Sequence, residues 1–210
     1  GYELDEQVLA YYGNPAKANL IHADYLFGDW EKKYDAIICN PPYGRFQSVK
    51  NRTDMIQTIF LHTGIRCSGY TNLYLLFLLK SIYQLAENGR LAYIIPTEFM
   101  NSSYGTAVKQ LLIDQRLLRA VLRFENEREV FPDAATTCCI LFLDRAPKNQ
   151  VEFYSLESID DLRHERMTAV TQVRYDQLSA SDKWRMYLNG EKSEKFRNLK
   201  PISQFCRISR

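Results

Sequence analysis

The run Asn40-Pro41-Pro42-Tyr43 follows the apolar stretch from Asp35 to Cys39 and precedes Gly44, and its residue types suit the holding of a planar amine. An Asn side-chain oxygen and the main-chain carbonyl of Pro41 are two acceptors, enough for both hydrogens of an exocyclic amino group. Proline fixes φ and lacks an N–H, so Pro41-Pro42 forms a stiff extended turn whose carbonyls need not join a ladder. Tyr43 offers a flat ring on which a base can stack, worth roughly 1–3 kcal/mol per base. Asn-Pro is also a common turn pair. The combination of apolar strand, Asn, two prolines, aromatic residue and Gly in one run points beyond a turn.

Such a loop needs a strand to carry it. Short runs rich in Ile, Val and Leu alternate with helical patterns along the chain, the signature of an α/β sheet with crossover helices. Strands are expected at Asn19 to His22, Asp35 to Cys39, Arg90 to Ile95, Leu117 to Phe124 and Thr136 to Leu143. Helices are expected from Asp5, as N-cap, to Tyr12, and from Asn72 to Ala86 with Thr71 as N-cap and Gly89 just past the end. A third, capped by Ser102 or Ser103, should run to about Gln115. In such a sheet ligands bind beyond the carboxyl ends of the strands, where Asn40 to Gly44 would emerge. After Pro147 the pattern weakens, so residues 1–147 read as the main domain and 148–210 as the start of a second, less regular unit.

Composition narrows the classes. The chain has 210 residues with 46% hydrophobic and 25% charged content, enough for a buried core. The longest apolar run, Leu73 to Leu79, is far shorter than a membrane span, and no leader pattern opens the chain; a cytoplasmic location is expected. The five cysteines form no C-x-x-C pair and the three histidines lie far apart, so neither a disulfide framework nor a metal site is expected. The net charge of +2 is unevenly spread. From Arg174 to Arg210 nine Lys or Arg face four Asp or Glu, and the earlier residues carry a net −3. That basic end fits an approach to a polyanion, and also an ordinary solvated surface.

The Asn-Pro-Pro-Tyr run in this strand context resembles the motif of the S-adenosylmethionine-dependent amino-methyltransferases, and its wider setting resembles the TaqI-like N6-adenine DNA methyltransferases of restriction-modification systems. The resemblance covers about residues 1 to 145. It implies a Rossmann-like sheet with flanking helices, S-adenosyl-L-methionine as cofactor, and double-stranded DNA with a flipped adenine as substrate. It implies that Asn40 and Pro41 hold the target nitrogen, with Pro42 and Tyr43 completing the catalytic loop and Tyr43 stacking on the base. In "GYELDEQVL", Glu3 stands where the family binds the cofactor's ribose. In "LIHADYLFG", Asp24 matches the residue that bonds the adenine amino group. In "NLYLLFLLKSIYQLAENGRLAYIIPTEFM", Phe77 matches an aromatic set against the cofactor's adenine. In "REVFPDAATTCCILFL", Phe131 matches the second wall of an aromatic sandwich around a base drawn from the duplex. Each also has a plainer reading: a solvated carboxylate for Glu3, a loop carboxylate for Asp24, an ordinary core position for Phe77 and a buried loop residue for Phe131.

One departure is clear. The family's Gly-rich loop lies upstream of the acid matched here by Glu3, and no G-x-G occurs in these residues. The sequence therefore reads as an internal piece of a longer protein, lacking the first strand of its sheet, inactive alone and binding the cofactor weakly or not at all. Its tail reads as the beginning of a target-recognition region. The same motif also serves methyltransferases of RNA bases and of a release-factor glutamine. A DNA-binding subunit without turnover is a further reading.

Overall fold

The computed structural model describes residues 1–12, 19–43, 51–125, 137–164 and 167–189. Gly44, Phe131, Thr136, Cys206 and most of the basic C-terminal segment lie outside the described residues.

Two sheets are present. A short parallel pair joins β1 (Tyr2–Glu3) to β2 (Ile21–His22), with α1 (Glu6–Tyr12) between them. Asp5 caps α1 as its sequence suggests, Oδ1 accepting from the amides of Gln7 (2.8 Å) and Val8 (3.3 Å). The second sheet has six strands in the order β3-β4-β6-β5-β7-β8. They are β3 (Tyr34–Cys39), β4 (Leu85–Pro96), β5 (Leu118–Phe124), β6 (Cys138–Asp144), β7 (Gln150–Leu156) and β8 (Thr171–Arg174). β3 runs parallel to β4, and β5 parallel to β7; β6 lies antiparallel between β4 and β5, and β8 antiparallel at the far edge.

β3 is an edge strand of this sheet, with Ile38 89% exposed. Among the described residues nothing pairs with its outer side, which leaves a row of backbone groups open there.

Helices α2 (Arg52–Thr63), α3 (Leu73–Gln84) and α4 (Thr106–Asp114) contribute to one large core. α3 is apolar nearly all round, as a helix buried on several sides must be: Leu75, Leu76, Leu79 and Ile82 are all inaccessible to solvent or nearly so. They pack with Tyr93, Ile95, Leu141, Phe153 and Trp184. On the sheet's other side a smaller cluster of Leu122, Phe124 and Leu156 is joined by Leu162 of α5 (Ile159–Arg163).

Several boundaries differ from those expected. α3 stops at Gln84, not Ala86, because Leu85 is already extended and pairs with Tyr34. The register then shifts before Ala36 meets Arg90, and Gly89 accommodates the irregularity: a Cβ there would lie 2.9 Å from the Tyr34 carbonyl. Asn72, not Thr71, is the N-cap residue, but its side-chain amide goes to the Tyr104 hydroxyl (3.2 Å) instead of capping the helix. α2 was not expected, since only Met55 and Ile59 on it are buried and its apolar stripe is thin. It ends on Gly64, whose φ of 72° suits glycine. β7 and β8 extend the sheet through residues that lack a clear period except at Val151 and Phe153, both fully buried.

Candidate active site

β3 delivers the Asn40 loop. Hydrogen-bonding to β4 runs through Cys39, paired with Tyr93, and the prolines that follow cannot continue a ladder. Asn40 is exposed at the strand's carboxyl end, Pro41 is buried, and Pro42 and Tyr43 are exposed. The Tyr43 hydroxyl donates to the carbonyl of Ile94 in β4 (3.1 Å) and receives a long contact from the Cys138 thiol (4.0 Å). Burial, with Cys138 close by, pushes the Tyr43 phenol above its ordinary pKa, so it stays a neutral donor. Its ring meets that of Tyr74 edge-on, centroids 6.3 Å apart at 85°. Tyr74 in turn shares a hydrogen bond with Tyr104 (3.2 Å), which donates to Glu98 (3.3 Å). The ring is therefore held at its hydroxyl end and along one edge.

Glu3 and Asp24 stand at the carboxyl ends of paired strands, since Glu3 lies opposite His22 and Asp24 follows two residues later. One oxygen of each shapes its own turn: Glu3 Oε1 accepts from the amides of Leu4 (2.8 Å) and Asp5 (2.9 Å), and Asp24 Oδ1 from that of Leu26 (2.9 Å). Phe77, on α3, packs its ring against Tyr25 at 5.2 Å.

A cavity of about 450 Å³ lies between the β1–β2 pair and the unpaired edge of β3. Its walls include Tyr2, Tyr25, Ile37, Ile38, Cys39 and Phe77. Tyr2 precedes Glu3, Tyr25 follows Asp24, and Cys39 precedes Asn40. The cavity thus runs beside three of the strand ends singled out in the sequence, between the β1–β2 pair and the β3 edge. Its lining is aromatic and aliphatic, and Glu3, Asp24, Asn40 and Tyr43 are not among the residues that line it. Phe131 lies outside the described residues and cannot be added to this arrangement. Among those residues no group of three or more His, Cys, Asp or Glu could hold a metal ion, and no helix is long and apolar enough to cross a membrane.

Residues 7–131, more than half of the chain, match the Eco57I restriction-modification methylase family. The chain belongs to that family. It is 37% identical to the Type II methyltransferase M.AccI of Acinetobacter calcoaceticus over 225 residues, covering 100% of this chain and 41% of M.AccI. It therefore spans less than half the length of that relative. In fold it is similar to the methyltransferase subunit of a type I restriction-modification system from Streptococcus thermophilus, with a TM-score of 0.63 at 17% identity over 84% of this chain and 44% of the other. It is also similar to a Listeria monocytogenes protein described as a class I S-adenosylmethionine-dependent methyltransferase, with a TM-score of 0.61 at 19% identity over 79% and 51% of the two chains. These likenesses establish a Rossmann-like methyltransferase fold for this member of the Eco57I family.

Sequence reasoning missed the residues that hold the Asp24 turn. Lys80, Ser81 and Gln84 are all buried on α3 and reach that turn. With Phe77 they stand at i, i+3, i+4 and i+7, one face of the helix, and three polar residues on one face of so apolar a helix were the available signal.

Proposed function

We propose that the protein containing this chain is a site-specific DNA methyltransferase of a restriction-modification system, transferring the methyl group of S-adenosylmethionine to the N6 amine of an adenine swung out of the duplex. The observation that carries this reading is the Asn40-Pro41-Pro42-Tyr43 loop at the carboxyl end of β3, its tyrosine tied to β4, beside the aromatic cavity. The family and the description of M.AccI as a Type II methyltransferase support DNA as the substrate. Cytoplasmic location follows from that substrate, and residues 148–210 are proposed to lead into the region that reads the DNA sequence.

In this reading Glu3, Asp24 and Phe77 hold S-adenosylmethionine, with Tyr2 and Tyr25 as further walls. When bound, the cofactor supplies an electrophilic methyl group on a sulfonium. The amine of adenine is a poor nucleophile, because its lone pair is delocalised into the ring. Asn40 Oδ1 and the Pro41 carbonyl accept its two hydrogens, favour a pyramidal nitrogen and stabilise the positive charge that develops there. Tyr43 stacks on the base and keeps the nitrogen aimed, and Phe131 is proposed as the opposite wall. The proton left on nitrogen is acidic enough to pass to water, so no Ser, Cys or His nucleophile is required.

Asn40→Ala in the full-length protein should abolish transfer of labelled methyl to DNA, by at least about the hundredfold expected for a missing charge-stabilising acceptor. Its melting temperature should stay near that of the wild type, because Asn40 is exposed. A variant retaining a tenth of the activity would remove Asn40 from the mechanism.

A further inference from the structure

Lys80 lies in the middle of α3 with its residue surface wholly removed from solvent. A buried ammonium is costly unless its donors are used. Nζ donates to the carbonyls of Tyr25 (2.5 Å) and Gly28 (3.1 Å), and lies 4.6 Å and 4.8 Å from the ring centroids of Tyr25 and Trp30. The Tyr2 ring stands farther off, at 5.8 Å.

Both carbonyls belong to the turn that starts at Asp24, where the amide of Gly28 closes onto the Asp24 carbonyl (2.9 Å). The same helix face makes three more attachments there. The Tyr25 hydroxyl donates to Gln84 (2.8 Å) and shares a hydrogen bond with Ser81 (3.1 Å), and Gln84 Nε2 donates to the Asp29 carbonyl (2.8 Å). Gly28 is pressed so close to Tyr2 that a Cβ would stand 2.7 Å from its ring. The turn is thus strapped to α3 at Tyr25, Gly28 and Asp29, with Lys80 the cation of the clamp.

We propose that Lys80 is a positioning residue for the cofactor site: by gripping the carbonyls of Tyr25 and Gly28 it fixes the turn that presents Asp24 and sets the Tyr25 ring in the cavity wall. The proposal rests on the reading of that cavity as the S-adenosylmethionine site. Loss of the ammonium would take the donor from the half-buried Gly28 carbonyl and leave that of Tyr25 with only the long bond from the Gly28 amide (3.3 Å). The turn would then be held to α3 through Ser81 and Gln84 alone.

The charged and titratable groups that face Lys80 are Asp24 and Asp29 from the turn, Tyr25, Tyr2 from β1, and His62 of α2 through its stack on Trp30. Burial lowers the Lys80 ammonium to about 8, against the opposing pull of Asp29 and Asp24. Burial raises both Tyr2 and Tyr25 above their ordinary values.

The test is calorimetric titration of the full-length protein and its Lys80→Met and Asp24→Ala variants with S-adenosylmethionine, and with duplex DNA of mixed sequence. Lys80→Met should weaken cofactor binding about tenfold or more, the worth of a charge-assisted hydrogen bond, and leave DNA affinity within about twofold. A general loss of structure would lower both. Cofactor affinity unchanged in Lys80→Met but weakened in Asp24→Ala overturns the role of Lys80 alone. Wild-type affinity in both variants overturns the cofactor site and the clamp with it.

Should Lys80→Met fail to fold, Lys80→Gln decides, since its shorter amide keeps a polar group on the helix and cannot span both carbonyls. Cofactor affinity lowered about fivefold or more, with DNA affinity within about twofold, is the expected result. Wild-type cofactor affinity overturns the proposal.

Discussion

Tyr43 is held at its hydroxyl by the Ile94 carbonyl and at its edge by Tyr74, so its ring is preset for the base it is proposed to meet. A ring fixed in advance loses little side-chain freedom on binding, so most of its stacking energy reaches the complex. Tyr43→Ala should weaken binding of DNA carrying an extrahelical 2-aminopurine by roughly 1–3 kcal/mol, read from the fluorophore's emission, with cofactor affinity unchanged. Equal losses for both ligands would contradict the stacking role. The position of the Asn40 loop was legible in the sequence because an apolar run that ends in Asn-Pro-Pro marks the end of a strand. Lys80 was not, because a lysine on a helix, even beside Ser81 and Gln84, reads as a long side chain reaching for the surface. Only the fold shows that it points to two carbonyls instead.

At the scale of elements, strands β3 to β6 and helices α1, α3 and α4 were legible from their apolar runs. Of the expected caps only Asp5 holds, α3 starting after Asn72 and α4 after Gly105. Elements β7, β8, α2 and α5 were not legible. The missed ones are short, edge-placed or buried on a thin stripe, so their formation depends on tertiary packing more than on local pattern. β6 illustrates how such packing is fixed at an element's end. Asp144, its last residue, accepts from Arg119 of β5, from Lys148 (3.0 Å) and from the amide of Ala146 (2.9 Å). Burial works against its charge, but Arg119 and Lys148 together hold the Asp144 carboxyl below its ordinary pKa. Asp144→Asn should destabilise the fold by about 1–3 kcal/mol in urea unfolding, mainly by leaving Lys148, 6% exposed, without its counter-charge. A depressed carboxylate pKa gives stability that is present above the unfolded value and lost as pH falls through the folded one. The gap between wild type and variant should therefore narrow below about pH 4. A gap that is constant with pH would show that the ion pairs are not its source.

Over the whole molecule Glu3, Asp24 and Asn40 stand at strand ends from two separate sheets, with the cavity lying between the β1–β2 pair and β3. Glu3 and Asp24 come from the β1–β2 pair, and Asn40 from the edge strand of the six-stranded sheet. Cofactor and base would thus be held by different pieces of chain that meet along one cavity, and transfer depends on both. The central claim is that this arrangement methylates adenine in DNA. Nucleoside mass spectrometry on DNA from cells expressing the full-length protein, beside cells expressing its Asn40→Ala variant, tests it most directly. N6-methyladenine in the first and none in the second is the predicted result. DNA free of N6-methyladenine in both, with both proteins folded and abundant, would contradict it.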